Sequence, residues 1–117
     1  MLARTLTITL VSSGLFALAA SIGMAAQADD VLTIEMTLEN DAFTPTEIKA
    51  PAGKPFVLKV TNKDAVPAEI ESKPLKIEKV AVGNSEIVAH VAPQKPGRYL
   101  LVNEYKEDTV KAYVVVE

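Results

Sequence analysis

Four glutamates are the residues of this sequence whose types and spacing could bind a cation. Glu69, Glu71 and Glu78 stand within the segment PAEIESKPLKIEKV, and Glu104 follows further on in the segment NEY. Carboxylate oxygens are ligands for hard cations such as ferric iron, manganese and calcium. Carboxylates that met at one end of a fold would repel one another unless a cation or a lysine lay among them. The sequence therefore predicts either a metal site or a set of surface ion pairs.

Four lysines close to these glutamates in sequence provide the second alternative: Lys73, Lys76, Lys79 and Lys106. Each could form an exposed ion pair with a glutamate, and such a pair contributes about 0–1 kcal/mol to stability. Under this alternative the glutamates are solvated surface charges and bind no metal.

The residue types that are missing restrict the chemistry further. The chain has no cysteine and a single histidine, His90. These counts exclude zinc–thiolate sites, iron–sulfur clusters, cysteine nucleophiles and any site built from several histidines. No nucleophile–base pair is evident either, so we predict no catalytic residues and no enzyme activity. An unusual ferrous oxidase is the enzymatic alternative. His90 alternates with apolar residues and is expected to face solvent.

The first 28 residues have the pattern of a secretory signal peptide. Arg4 precedes an uncharged, largely apolar stretch over residues 5–26, and Ala26-Gln27-Ala28 supplies the small residues of a cleavage site. We therefore expect residues 1–28 to be removed and residues 29–117 to act in the periplasm. An uncleaved membrane anchor is the alternative.

The remaining 89 of the 117 residues correspond to one small domain. The leader contains one charged residue, Arg4, so 11 basic and 15 acidic residues remain and the formal charge is −4. Without a basic patch, nucleic acid is not an expected partner. A mild acidic excess suits a cation or a basic protein surface.

Strand patterns occupy the predicted mature domain. The segment VLTIEMTLEN alternates apolar and polar residues, which indicates a half-buried strand. Further alternating segments follow at short intervals, separated by turns rich in proline and glycine, and none has helical periodicity beyond a turn or two. Six to eight short strands predict an all-β fold, a small antiparallel Greek-key β-sandwich.

Several other side chains have predicted structural roles. Asn62 and Asn103 are expected to brace backbone turns through their side-chain amides. Phe56 and Tyr99 are expected in the core. Tyr105 follows Glu104 directly and is expected to pack, with a role as a phenol ligand or redox relay as the alternative.

Three segments resemble those of cupredoxins: FTPTEIKAPAGKPFVLKVTNKD, KPGRYLLVNEY and VKAYVVVE, in that order. The resemblance covers nearly all of residues 29–117 and implies a cupredoxin-like β-sandwich. A blue-copper site needs a cysteine thiolate, two histidines and often a weak axial methionine. The corresponding positions hold Asn103 for the cysteine and Ala68 and Lys106 for the histidines, so type 1 copper is not expected.

A narrower resemblance is to the cupredoxin-like domains of bacterial periplasmic iron-uptake systems. It rests on Glu69, Glu71, Glu78, Lys79 and Glu104. It implies an accessory protein that binds an iron or copper ion through the four glutamates and hands it to a membrane iron permease, with a homodimer as one arrangement. The alternative is a metal-free β-sandwich module that docks onto another uptake component through its acidic end.

Overall fold

The computed structural model describes residues 31–117, so the predicted signal peptide lies outside the described part of the chain. Nine strands form the described domain, with one 3₁₀ turn at Glu104–Lys106. The strands are β1 (Leu32–Glu39), β2 (Ala42–Thr44), β3 (Glu47–Ala50), β4 (Phe56–Asn62), β5 (Ala68–Ser72), β6 (Ile77–Ala81), β7 (Ser85–Val91), β8 (Gly97–Asn103) and β9 (Lys111–Val116). Within residues 31–117, no helix has the length and apolar character needed to cross a membrane.

The strands form two sheets that pack face to face. The four-stranded sheet has the order β2-β1-β4-β7, and the five-stranded sheet has the order β3-β9-β8-β5-β6. The predicted all-β sandwich is therefore confirmed. Two pairs of neighbouring strands, β1 with β4 and β3 with β9, are parallel, whereas an antiparallel sandwich was predicted. Alternation of side chains cannot distinguish the two arrangements, because both bury every second residue.

The core lies between the sheets and follows the predicted alternation. On β4, Phe56, Leu58 and Val60 are each at most 1% exposed, which confirms the inward placement of Phe56. Tyr99 packs against the edge of the core, and its hydroxyl donates a hydrogen bond to the Lys95 carbonyl oxygen at 2.6 Å. This placement satisfies the polar end of a side chain whose ring is apolar.

Asn62 holds together the end of the sandwich at which β4 finishes. Its side chain is fully buried. The amide nitrogen donates to the carbonyl oxygens of Val66 (2.9 Å) and Ala81 (3.1 Å), with a longer contact to Val82 (3.4 Å). The amide oxygen accepts from the backbone N–H of Asp64 at 3.0 Å. The predicted bracing role of Asn62 is thus confirmed.

Asp64 extends this bracing to the turn between β1 and β2. Its carboxylate accepts hydrogen bonds from the backbone N–H groups of Asn40 (2.7 Å) and Asp41 (3.1 Å). Both turn residues have positive φ, a conformation that Asn and Asp tolerate better than most residues. The Asp41 carboxylate in turn pairs with the Lys106 ammonium at 2.6 Å, so the 3₁₀ turn is fastened to the β1–β2 turn.

Gly83 is required by a close backbone approach at the same end of the sandwich. A β-carbon on Gly83 would lie 2.1 Å from the carbonyl oxygen of Ala65, and backbone atoms cannot yield as a flexible side chain would. We expect Gly83→Ala to lower the free energy of unfolding by about 1–3 kcal/mol, as measured by urea denaturation. Gly97→Ala is the control, because its nearest neighbour would be 3.4 Å away on the Tyr99 ring. Equal stability of the two variants would contradict the predicted clash.

Candidate metal centre

Three of the four predicted glutamates meet at one end of the five-stranded sheet. Glu69, Glu71 and Glu104 each present a carboxylate oxygen, and these oxygens all lie within 4.8 Å of one another. Across residues 31–117, this is the one group of three or more potential ligand side chains with that geometry. We call it the carboxylate triad.

The strands explain the convergence. Glu69 and Glu71 are two residues apart on β5 and therefore point to the same face of the sheet. β8 is the neighbour of β5, with Glu71 opposite Val102, and Glu104 follows directly after the last residue of β8. The adjacent strands β5 and β8 therefore position all three carboxylates at the same end of the sheet.

Asn103 fixes the two backbones that carry the triad. Its side chain is 4% exposed, and its amide oxygen accepts hydrogen bonds from the backbone N–H groups of Glu69 (3.1 Å) and Tyr105 (3.3 Å). One side chain therefore caps the 3₁₀ turn and ties it to the start of β5. The predicted brace is confirmed, at the position where a blue-copper protein would carry its cysteine.

The surroundings of Glu71 raise the pKa of its carboxyl group. Glu71 is 9% exposed, whereas Glu104 is open to solvent. A hydrogen bond between the two carboxyl groups is the main cause that raises the pKa of Glu71, and partial burial and the charge of Glu104 raise it further. The charge of Lys73 acts in the opposite direction. A bound cation would relieve the repulsion between these carboxylates.

Glu78 is not part of the triad. It lies on β6 directly opposite Glu71, but its carboxylate stays outside the group of three. β6 is the edge strand of the sheet and the Glu78 side chain is exposed. Because the neighbouring triad carboxylates have the same charge and repel it, the solvated Glu78 carboxylate stays apart from them. Its role as a ligand remains a prediction.

The lysines do not neutralise the triad by direct ion pairing. Five contacts within 4.0 Å join opposite charges in residues 31–117, and none involves the triad or Glu78. Lys106, which was expected near the glutamates, pairs with Asp41 instead. The sequence analysis did not predict this contact, because no local pattern links two residues 65 positions apart.

His90 is remote from the triad. It faces outward on β7, as predicted, opposite Val57 near the beginning of β4. Asn62, at the triad end, lies five residues further along β4, which corresponds to about 17 Å. No imidazole is therefore available at the triad. Tyr105 is 56% exposed, so the expectation that it packs was wrong; the 3₁₀ turn directs its ring away from the core.

The fold and the comparison with protein families agree on the class of protein. The chain matches the family model described as "Cupredoxin-like domain" over residues 9–116, a range that begins within the predicted signal peptide. This protein therefore belongs to the cupredoxin-like family.

Individual relatives extend the comparison. An uncharacterized protein of Rickettsia prowazekii (strain Madrid E) is 28% identical over 88 residues, which cover 75% of this chain and 70% of the relative. The metal-binding domain of the Streptococcus pneumoniae D39 Cu(I)-exporting P-type ATPase CopA has a similar structure, with a TM-score of 0.65 and 21% identity over 73% of this chain and 84% of that one. Auracyanin A, a blue copper protein of Chloroflexus aurantiacus, gives a TM-score of 0.61 and 18% identity over 74% and 98%. At these identities the two solved structures establish the shared fold.

Proposed function

We propose that this protein is a periplasmic metal-binding accessory of an iron-uptake system. Glu69, Glu71 and Glu104 bind the metal ion, and the protein hands it to a membrane iron permease or another uptake component. The observation that carries the proposal is the approach of three carboxylate oxygens within 4.8 Å. The signal-peptide pattern and the resemblance to periplasmic iron-uptake domains support the location and the partner.

The ligand set favours iron over copper. All three triad donors are carboxylate oxygens, which suit hard ions, whereas Cu(I) prefers thiolate or thioether ligands and Cu(II) prefers imidazole. The CopA domain was solved with Cu(I), and auracyanin A is a copper protein. This chain has no cysteine to supply the thiolate of a type 1 site, and its one histidine lies far from the triad. Copper is therefore the second choice of ion.

The exposure of the triad suits a protein that receives and releases its ion. Glu104 is exposed and Glu69 is half-buried, so an incoming ion reaches the site without an opening motion. Three carboxylates leave further coordination positions free for water or for donors of a receiving protein. The proposal involves transfer of the ion and no catalytic step.

The site assignment is tested by comparing two exposed glutamates, Glu104 in the triad and Glu78 outside it. Manganese(II) serves as the probe, because it is hard and stays soluble, and its affinity is measured by isothermal titration calorimetry. We expect Glu104→Gln to weaken manganese binding by at least the ~10–100-fold that loss of a supporting residue costs at metal sites. Glu78→Gln removes the same charge from outside the triad and should have a much smaller effect. Equal losses would assign the binding to general negative charge.

A second candidate function is docking onto another transport component without a metal. The observation in its favour is the exposure of Val66, Val80 and Val82, with Val80 directly opposite Glu69 on the neighbouring strand. Apolar side chains beside acidic ones fit a partner surface with an apolar centre and a basic rim. Two results together would favour this candidate. Manganese(II) would not bind at the triad, and the metal-free protein would still capture a periplasmic or membrane uptake component.

A further inference from the structure

A groove of about 290 Å³ adjoins the triad on the outer face of the five-stranded sheet. Leu100 and Val102 of β8 form its floor, and Pro74 forms part of its wall. Glu71 also lines the groove, so one carboxylate belongs both to the triad and to this space. The volume is close to the lower end, about 300 Å³, of pockets that bind small molecules.

The charges around the groove are arranged by strand register. Glu71 lies opposite Val102, and Val102 lies opposite Lys111, so the three residues form one row across β5, β8 and β9. With strands spaced about 4.8 Å apart, the backbones of Glu71 and Lys111 are about 10 Å from each other. A carboxylate therefore stands on one side of an apolar floor and an ammonium group on the other.

Two lysines at the groove are free to bind a ligand. Lys73 and Lys111 both line it and are exposed, and neither has an ion-pair partner within 4.0 Å among residues 31–117. Glu107 is the second acid of the lining. Both signs of charge thus face the same small space, an arrangement that suits a ligand carrying a cation and carboxylates around a short carbon skeleton.

We propose that the groove binds a small polycarboxylate chelator, of the citrate class, that brings the metal ion to the triad. The ion lies at Glu71, the chelator's carboxylates lie at Lys73 and Lys111, and its carbon chain covers Leu100 and Val102. Hard trivalent ions precipitate as hydroxides in neutral water unless oxygen ligands hold them, so such an ion reaches a carboxylate site as a chelate. This inference rests on the proposed function of the triad.

The test uses gallium(III) citrate, a diamagnetic stand-in for ferric citrate, with manganese(II) and metal-free citrate as separate titrants. The variant is Lys73→Gln with Lys111→Gln, and the control is Lys49→Gln with Lys54→Gln, which removes the same charge from outside the groove. We expect the groove variant to bind gallium citrate about tenfold more weakly, the order expected for two exposed ion pairs. Its manganese(II) affinity should not fall, and the control should match the unmodified protein.

Several results would overturn the inference. Equal affinities of the two double variants for gallium citrate would show that the groove lysines do not bind the chelator. Metal-free citrate that binds as tightly as the chelate would make the groove an anion site independent of the triad. If the unmodified protein and the control variant form a dimer and the groove variant does not, a second copy of the chain covers this face. If manganese(II) binds at the triad and gallium citrate does not, the inference fails and the proposed function stands; if neither binds, both fail.

Discussion

Glu71→Gln is expected to make the metal-free protein more stable at neutral pH and to remove most of its metal binding. Glu71 is nearly buried and hydrogen-bonds to Glu104, and this arrangement raises the pKa of the Glu71 carboxyl group. Glutamine has the same shape, carries no charge, and can donate its amide hydrogen to the Glu104 carboxylate. The substitution therefore relieves repulsion in the empty site and removes a charged ligand from the occupied one.

The direction of the pH dependence follows from the raised pKa of Glu71. A carboxyl group with a higher pKa in the folded state binds its proton more tightly there, so its contribution to stability is complete below the ordinary value of 4.5. That contribution is lost as the pH rises through the folded-state pKa. The free energy of unfolding of the unmodified protein should thus decline over this range, and the decline should be smaller in Glu71→Gln.

Urea denaturation without metal, at pH about 4 and about 7, measures the stability part of this prediction. Calorimetric titration with manganese(II) measures the binding part, where we expect a loss of at least ~10–100-fold. Glu78→Gln is the control for both, because it removes one negative charge from the residue opposite Glu71. A less stable Glu71→Gln protein would contradict the repulsion between Glu71 and Glu104, and one that keeps its metal affinity would contradict the role of Glu71 as a ligand.

Asn62→Ala is expected to cause the largest loss of stability among single polar substitutions at this end of the sandwich. Alanine would leave the buried Ala81 carbonyl oxygen and the Asp64 backbone N–H without their partners. Because buried polar groups without partners each cost about 1–3 kcal/mol, we expect the free energy of unfolding to fall by about 3 kcal/mol. Loss of order at Asp64 would also release the β1–β2 turn, which its carboxylate holds.

Chemical denaturation of Asn62→Ala beside Thr61→Ala provides the comparison. Thr61 is the preceding residue of β4, is half-buried, and points to the opposite face of the sheet, so its loss should cost well under half as much. A similar cost for the two variants would show that the hydrogen bonds of Asn62 do not hold this end of the sandwich together.

Side-chain alternation made much of the fold predictable from sequence. On β4, every second residue is buried, and the same pattern on β7 correctly placed His90 outside. The convergence of Glu69 and Glu71 also follows from a period of two. Glu104 joins them because β8 runs beside β5.

Features that depend on register and on side-chain direction could not be predicted. Alternation does not reveal which strands pair in parallel, and it does not show that Val102 separates Glu71 from Lys111 at the groove. Glu78 was predicted as a ligand and lies opposite Glu71, but the direction of an exposed carboxylate on an edge strand depends on local repulsion. The pairing of Lys106 with Asp41 joins segments that are far apart in sequence, so proximity along the chain pointed to the wrong partners.

The central claim is that the carboxylate triad binds a cation, and paramagnetic broadening by manganese(II) tests it most directly. Backbone amide signals of the isotope-labelled protein are followed by NMR at low ratios of metal to protein. The account predicts early loss of the signals of Glu69, Glu71, Asn103 and Glu104, with the His90 signal unchanged. Weak broadening spread over all exposed acidic residues, or broadening centred on His90, would contradict it.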